Sequence, residues 1–215
     1  MKAIRSRRSA FTLIELLVVI SIIAVLASLT FAGVQSALIA AKKVSAKNDM
    51  AQIANGVQFY YTEYGKYPTA GSTGTNDLVF GTSDSGAQAN SSIINVLRYP
   101  KTGWTDTNNE NPRQIQFLQP KTVDAKKGGV NWSSTGSGDG NWYDPWGTQY
   151  VIFIDAAYDG DITVKDRFTD ITTNPAYGVG VASVGYYYAK KNTTKTVADG
   201  GLNFGSNKLT ILLSW

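Results

Sequence analysis

The sequence predicts an α+β fold, with one long N-terminal helix followed by a head built on an antiparallel β-sheet. Three observations carry this prediction. An apolar run beginning at Phe11 passes without a break into apolar residues recurring at helical spacing. The first proline is Pro68, so nothing interrupts that helix earlier. Beyond it, short β-branched and aromatic runs alternate with Gly/Ser/Thr/Asn-rich stretches.

The helix is read in two halves. Between Phe11 and Phe31 the polar residues are Thr12, Glu15, Ser21, Ser28 and Thr30. At 1.5 Å per residue such a run is roughly 31 Å long, enough to cross a bilayer. A cleaved secretory signal has a shorter apolar core with small residues after it, whereas Ser9 and Ala10 stand before this one. The second half carries Val34, Ala37, Leu38, Ala41 and Val44, then Met50, Ile53, Ala54, Val57, Tyr60, Tyr61 and Tyr64. That stripe predicts an amphipathic helix needing a partner surface. Gly65 is placed to end it, and Pro68 prevents its resumption.

Charge is unevenly placed. Of 20 basic residues, Lys2, Arg5, Arg7 and Arg8 precede Phe11, which leaves 16 against 16 acidic ones. The basicity belongs to a leader, and no electrostatic footprint for nucleic acid remains. The four cations favour a cytoplasmic N-terminus. The chain has no His and no Cys, which removes disulfides, thiolate metal sites and the commonest general base.

Glu15 is the anomaly of the apolar run. An acid at mid-bilayer costs about 2.5–3.5 kcal/mol. A cation at about 4 Å offsets roughly 4 kcal/mol at an effective dielectric of about 20. No Lys or Arg lies within the run. Cleavage between Ala10 and Phe11 would create one cation, the Phe11 α-amine, with an unperturbed pKa of about 7.7–8.0.

Basic leader, small residue, then "FTLIELLVVISIIAVLAS" resembles the class III signal of type IV pilins and type II secretion pseudopilins. The resemblance implies that a prepilin peptidase cuts after Ala10 and methylates the Phe11 amine. It also implies that Glu15 pairs with the Phe11 amine of a neighbouring subunit during filament assembly; pairing with its own amine is the alternative. Two features depart from the family: Ala10 replaces the usual Gly, and Ala32 stands where many members carry Pro. The implied organisation is a leader at residues 1–10, a membrane half at 11–33, an amphipathic half at 34–66 and a pilin-like head at 67–215. Self-assembly, the inner-membrane assembly platform and minor pseudopilins are the implied partners, and the inner membrane followed by a periplasmic or extracellular filament is the implied location.

Further along, "YYTEYGKYP" and "DPWGTQYVIFID" are similar to the helix exit and turn-strand of major pseudopilins. Zero Cys favours the pseudopilin side over pilins that staple their heads. Asp144-Pro145-Trp146-Gly147 reads as a turn, with Trp146 expected to plug the core. Residues 148–154, 177–189 and 209–215 read as strands, and 69–92, 101–112, 127–141 and 190–208 as surface loops.

"DAAYDGDITVKD" places Asp155, Asp159, Asp161 and Asp166 at positions 1, 5, 7 and 12 of a calcium-type loop, with Gly160 at 6. Position 3 is Ala157, which has no side-chain oxygen. The competing reading is a hairpin turn at Asp159-Gly160. Enzymatic readings find no support: no dinucleotide fingerprint, nucleophile elbow or telling carboxylate spacing is present. The expected function is a filament subunit serving type II secretion. The alternatives are a type IV pilin for adhesion, motility or DNA uptake, and a signal-anchored binding module or hydrolase that never polymerises.

Overall fold

The computed structural model describes residues 11–72, 77–81, 88–100, 103–133, 138–160, 162–163, 172–173, 178–183 and 212–213. Helix α1 spans Leu13–Tyr64 without interruption. Its end is where the sequence put it: Gly65 adopts φ +67° and donates its N–H to the Tyr61 carbonyl at 2.8 Å. Glycine reaches this left-handed conformation without a Cβ penalty. The chain divides into two compact units, Met1–Ala41 and Lys42–Trp215.

In the first unit the helix is apolar on every side, and the large side chains described there, among them Phe11, Ile20, Leu29, Val34 and Ile39, are exposed. This segment is long and apolar enough to cross a membrane. In the second unit Ala46, Met50, Ile53, Val57 and Tyr60 follow the 4-3-4-3 spacing of one helix face, and all are fully buried. They share a core with the short helix α2 (Ser91–Arg98), through Ile93, Ile94 and Leu97, and with the sheet. Burying one such aliphatic side chain is worth about 1.5–3 kcal/mol, so this stripe dominates what holds the helix to the head.

The main sheet has the order β1-β5-β8-β9, formed by Leu78–Phe80, Val151–Ile154, Val179–Ser183 and Leu212–Leu213. All its pairings are antiparallel. Strand β5 is buried along its whole length, with Ile152 and Ile154 in the core and Val151 and Phe153 on the opposite face. A second sheet joins β2 (Thr122–Val123), β3 (Gly129–Asn131) and β4 (Trp142–Tyr143); here β2 and β3 run parallel. A two-stranded piece pairs β6 (Ile162–Thr163) with β7 (Thr172–Thr173). The arrangement is α+β and consistent with a pilin fold.

Three expectations are corrected. Strand β1 lies within 69–92 and β3 within 127–141, both read as loops. Glu110 and Asn111, in the segment 101–112, are buried rather than on the surface. The core plug is Trp142, 1 % exposed, while Trp146 is only partly buried at the core's edge. The turn at Asp144–Gly147 forms as expected, but its keystone is the acid. Asp144 Oδ1 accepts the N–H groups of Trp146, Gly147 and Thr148 at 2.9, 2.9 and 3.0 Å. Its Oδ2 accepts the hydroxyls of Thr148 and Ser183 at 2.6 and 2.7 Å, which ties the turn to β8.

Candidate functional site

The first site is the start of α1. Thr12 precedes the first helical residue, and its side chain and backbone engage Glu15 reciprocally. Glu15 Oε2 accepts the Thr12 N–H at 2.9 Å and the Thr12 hydroxyl at 2.8 Å, while the Glu15 N–H donates to Thr12 Oγ1 at 3.3 Å. This is a capping box, which satisfies donors that the first helical turn otherwise leaves orphaned. Thr-x-x-Glu is legible at positions 12 and 15, and the sequence reading missed it by weighing Glu15 only as a charge. Phe11 is exposed beside this box. Ala10, the expected cleavage residue, lies outside the described residues.

The acid loop is the second. Asp155 follows the last residue of β5, and Asp77 precedes the first residue of β1. The register pairs Leu78 with Ile154, so the antiparallel ladder brings both acids to one end of the sheet. Carboxylate oxygens of Asp77, Asp155 and Asp159 all lie within 4.8 Å of one another. Asp155 is buried, Asp77 half-buried and Asp159 exposed. The Asp155 carboxylate also accepts the N–H groups of Asp159 at 3.3 Å and Gly160 at 3.0 Å, so it shapes the turn as well. Tyr158, at φ +58°, stacks on Tyr67 with ring centroids 5.4 Å apart, and its hydroxyl accepts the Tyr67 N–H at 2.9 Å.

Of the four expected loop ligands, Asp155 and Asp159 come together; Asp161 and Asp166 lie outside the described residues. The third carboxylate, Asp77, was not expected, because strand pairing rather than loop spacing delivers it. The donor set is all oxygen, which suits a hard cation such as calcium. Three carboxylates this close repel one another unless a cation or protons intervene.

Residues 5–31 match the family model of the prokaryotic N-terminal methylation motif. That motif is typical of type IV pilin-like prepilins. The match ends within α1 and covers none of the chain after Phe31. No curated protein and no solved structure matches the chain. The methylation motif thus supports a type IV pilin-like prepilin, and motif and fold together suggest a structural subunit.

Proposed function

We propose that the chain is a structural subunit of a type II secretion pseudopilus, made as a prepilin and polymerised after its leader is removed. The observation that carries this reading is the methylation motif at residues 5–31, with its acid at Glu15 in an otherwise uncharged apolar helix. Prepilin peptidase cuts between Ala10 and Phe11 and methylates the new amine. The subunit waits in the inner membrane with its N-terminus in the cytoplasm. An assembly platform then adds it to the filament, where Glu15 meets the Phe11 amine of a neighbour. Its work is mechanical, and minor pseudopilins complete the fibre.

The zero Cys count and the "DPWG" turn favour a pseudopilus over a type IV pilus. Intact-mass analysis of the native subunit tests the reading. The expected mass lacks residues 1–10 and carries a methyl group on Phe11. A filament subunit retaining Arg7 and Arg8 would overturn it, and an unprocessed membrane monomer would return the chain to a signal-anchored module.

Calcium at the acid loop is a separate part of this proposal. The support is the convergence of Asp77, Asp155 and Asp159 on one end of the sheet. Bound there, the ion would offset two of the three negative charges and pin the β5 exit to the β1 entry.

A further inference from the structure

Arg98, in the last turn of α2, is 6 % exposed. Its Nε donates to Asn95 Oδ1 at 2.9 Å, one turn back on the same helix. Its Cζ lies 4.2 Å from the centroid of the Trp132 ring, so an indole covers one face of the guanidinium. Trp132 directly follows β3. Gly140, at φ +71°, brings the chain that enters β4 against Asn95, since a Cβ there would lie 2.8 Å from Asn95 Nδ2. The last turn of α2 and both arms of the β3–β4 connection thus meet beside a buried cation. A guanidinium is a fork of N–H donors, and among the described residues this one donates a single hydrogen bond, to Asn95. Its Nη2 is buried with no hydrogen-bond partner. Burial pushes the Arg98 pKa down to about 10, which leaves the group charged at neutral pH. No carboxylate among the described residues pairs with it. A buried charge is costly unless paired, and a buried donor without an acceptor marks the place of a water, an ion or a ligand.

We propose that Arg98 is the seat of a carboxylate, gripped end-on by Nη1 and Nη2 while Asn95 fixes Nε and Trp132 fixes the plane of the group. The proposal concerns the head alone and stands whether or not the chain polymerises. With Nε engaged, the outer edge of the guanidinium offers parallel N–H groups that match the two oxygens of a carboxylate. A single cation calls for a monoanion: a carboxylate leaves the site neutral, whereas a phosphate dianion would leave a net buried charge. Two sources offer this group, a free small carboxylate and an acidic side chain of a second copy of the chain. Trp132 is half-buried, so the ring that covers the cation also borders solvent and gives either source its way in.

The test uses the full-length chain in detergent, with isotope-labelled arginine, titrated with acetate against chloride at constant ionic strength. The Arg98 guanidinium signals, recognised by their loss in Arg98→Lys, should move saturably with acetate, and rotation of the Nη groups should slow. Asn95→Ala should weaken acetate binding about tenfold, the worth of one hydrogen bond to a charged group. Acetate in roughly tenfold excess over its dissociation constant should raise the melting temperature by about 3–6 °C, and should leave Arg98→Met unmoved. Should Arg98→Met fail to fold, the titrations of wild type and Asn95→Ala decide alone. The same slowed Nη signals without acetate, growing with protein concentration, would assign the carboxylate to a second copy; dependence on acetate alone would assign it to a small molecule. Arg98 signals indifferent to acetate at every protein concentration would overturn the proposal and leave the C-terminal dipole of α2 as the counter-charge. An equal acetate response in Arg98→Met would overturn it too, by placing the anion elsewhere.

Discussion

Glu15 has one observed role and one proposed role, which a single substitution can separate. Its carboxylate closes a capping box with Thr12, and its charge is the proposed partner of a neighbour's amine. Gln at the third helical position also serves a capping box. Glu15→Gln should therefore keep the helix start and membrane insertion while losing filament assembly. Glu15→Ala should lose both assembly and the cap, a helix-start cost of about 1 kcal/mol. The measurement is sheared-filament yield beside membrane-fraction monomer; normal filaments from Glu15→Gln would leave capping as the residue's sole role. Asp49, on the amphipathic half of α1, is a different residue-scale case. Its Oδ2 accepts the Tyr150 hydroxyl at 2.9 Å. Burial pushes its carboxyl above the usual range, with Asp144 adding to the rise and the Tyr150 bond opposing it. Burial also raises Tyr150, so the phenol stays protonated and donates. The sign follows: the folded state holds the Asp49 proton more tightly than the unfolded state does. This contribution to stability is present at low pH and lost as pH rises through the raised pKa. Asp49→Asn should be at least as stable as wild type at pH 7, and its advantage should vanish in acid. Urea midpoints at pH 7 and near pH 3.5 check this; an Asn variant weaker at neutral pH would show that the charge is needed.

At the scale of elements, the segment around Glu110 and Asn111 fastens the end of α1. Glu110 accepts the Thr69 N–H and hydroxyl at 2.9 and 2.8 Å and the Gly71 N–H at 2.9 Å, and its carbonyl accepts the Tyr60 hydroxyl at 2.7 Å. Asn111 Oδ1 accepts the Tyr64 hydroxyl at 2.7 Å, while its Nδ2 donates to the carbonyls of Val96 and Ile115. One short stretch thus holds α1, the chain leaving it and α2. Removing a buried carboxylate that satisfies three donors leaves those donors stranded, at about 2–4 kcal/mol in total. By contrast, the nearby pair of Arg113 and Glu63 is exposed, and such pairs are worth about 0–1 kcal/mol. Glu110→Ala should lower the denaturation midpoint strongly and Glu63→Ala hardly at all. Similar losses in the two variants would show that the clasp is not what secures the helix exit. The α2 N-terminus is served in a comparable way across elements. Asn141 Oδ1 accepts the Ser91 N–H at 3.0 Å, and Asn90 turns inward to bridge Trp142 and Tyr150.

For the whole molecule, the consequential question is whether an ion joins the sheet ends at Asp77, Asp155 and Asp159. A ligand that binds only the folded state adds about 2.7 kcal/mol at a hundredfold excess over its dissociation constant. A chelator should then lower the melting temperature of the detergent-solubilised chain, and calcium should restore it. Asp77→Ala should abolish the difference between calcium and chelator, although Asp77 lies far outside the loop that suggested the ion. Equal melting with calcium and with chelator, at millimolar calcium, would leave Asp155 as the keystone of a turn. Persistence of the calcium effect in Asp77→Ala would move the ligands to the loop itself.

What the sequence determined alone is what short-range physics controls. The span of α1, its end at Gly65, the β-rich run that forms β5 and the methylation motif of residues 5–31 all depend on residues within a turn or two of one another. Periodicity, caps and spacing record such interactions directly. The capping box of Thr12 and Glu15 belongs to the same class and was equally legible. The tertiary structure decided the rest. Asp77 joins Asp155 because antiparallel pairing of β1 with β5 sets a register that no local pattern encodes. Trp142 rather than Trp146 fills the core because the fully buried Asp144 fixes where the turn begins. Asn90, Glu110 and Asn111 sit in stretches whose polarity resembles surface loop, yet they are buried, since main-chain and hydroxyl partners from distant segments satisfy them. Polarity in a sequence records a demand for hydrogen bonds, and only the folded chain decides whether water or protein meets it.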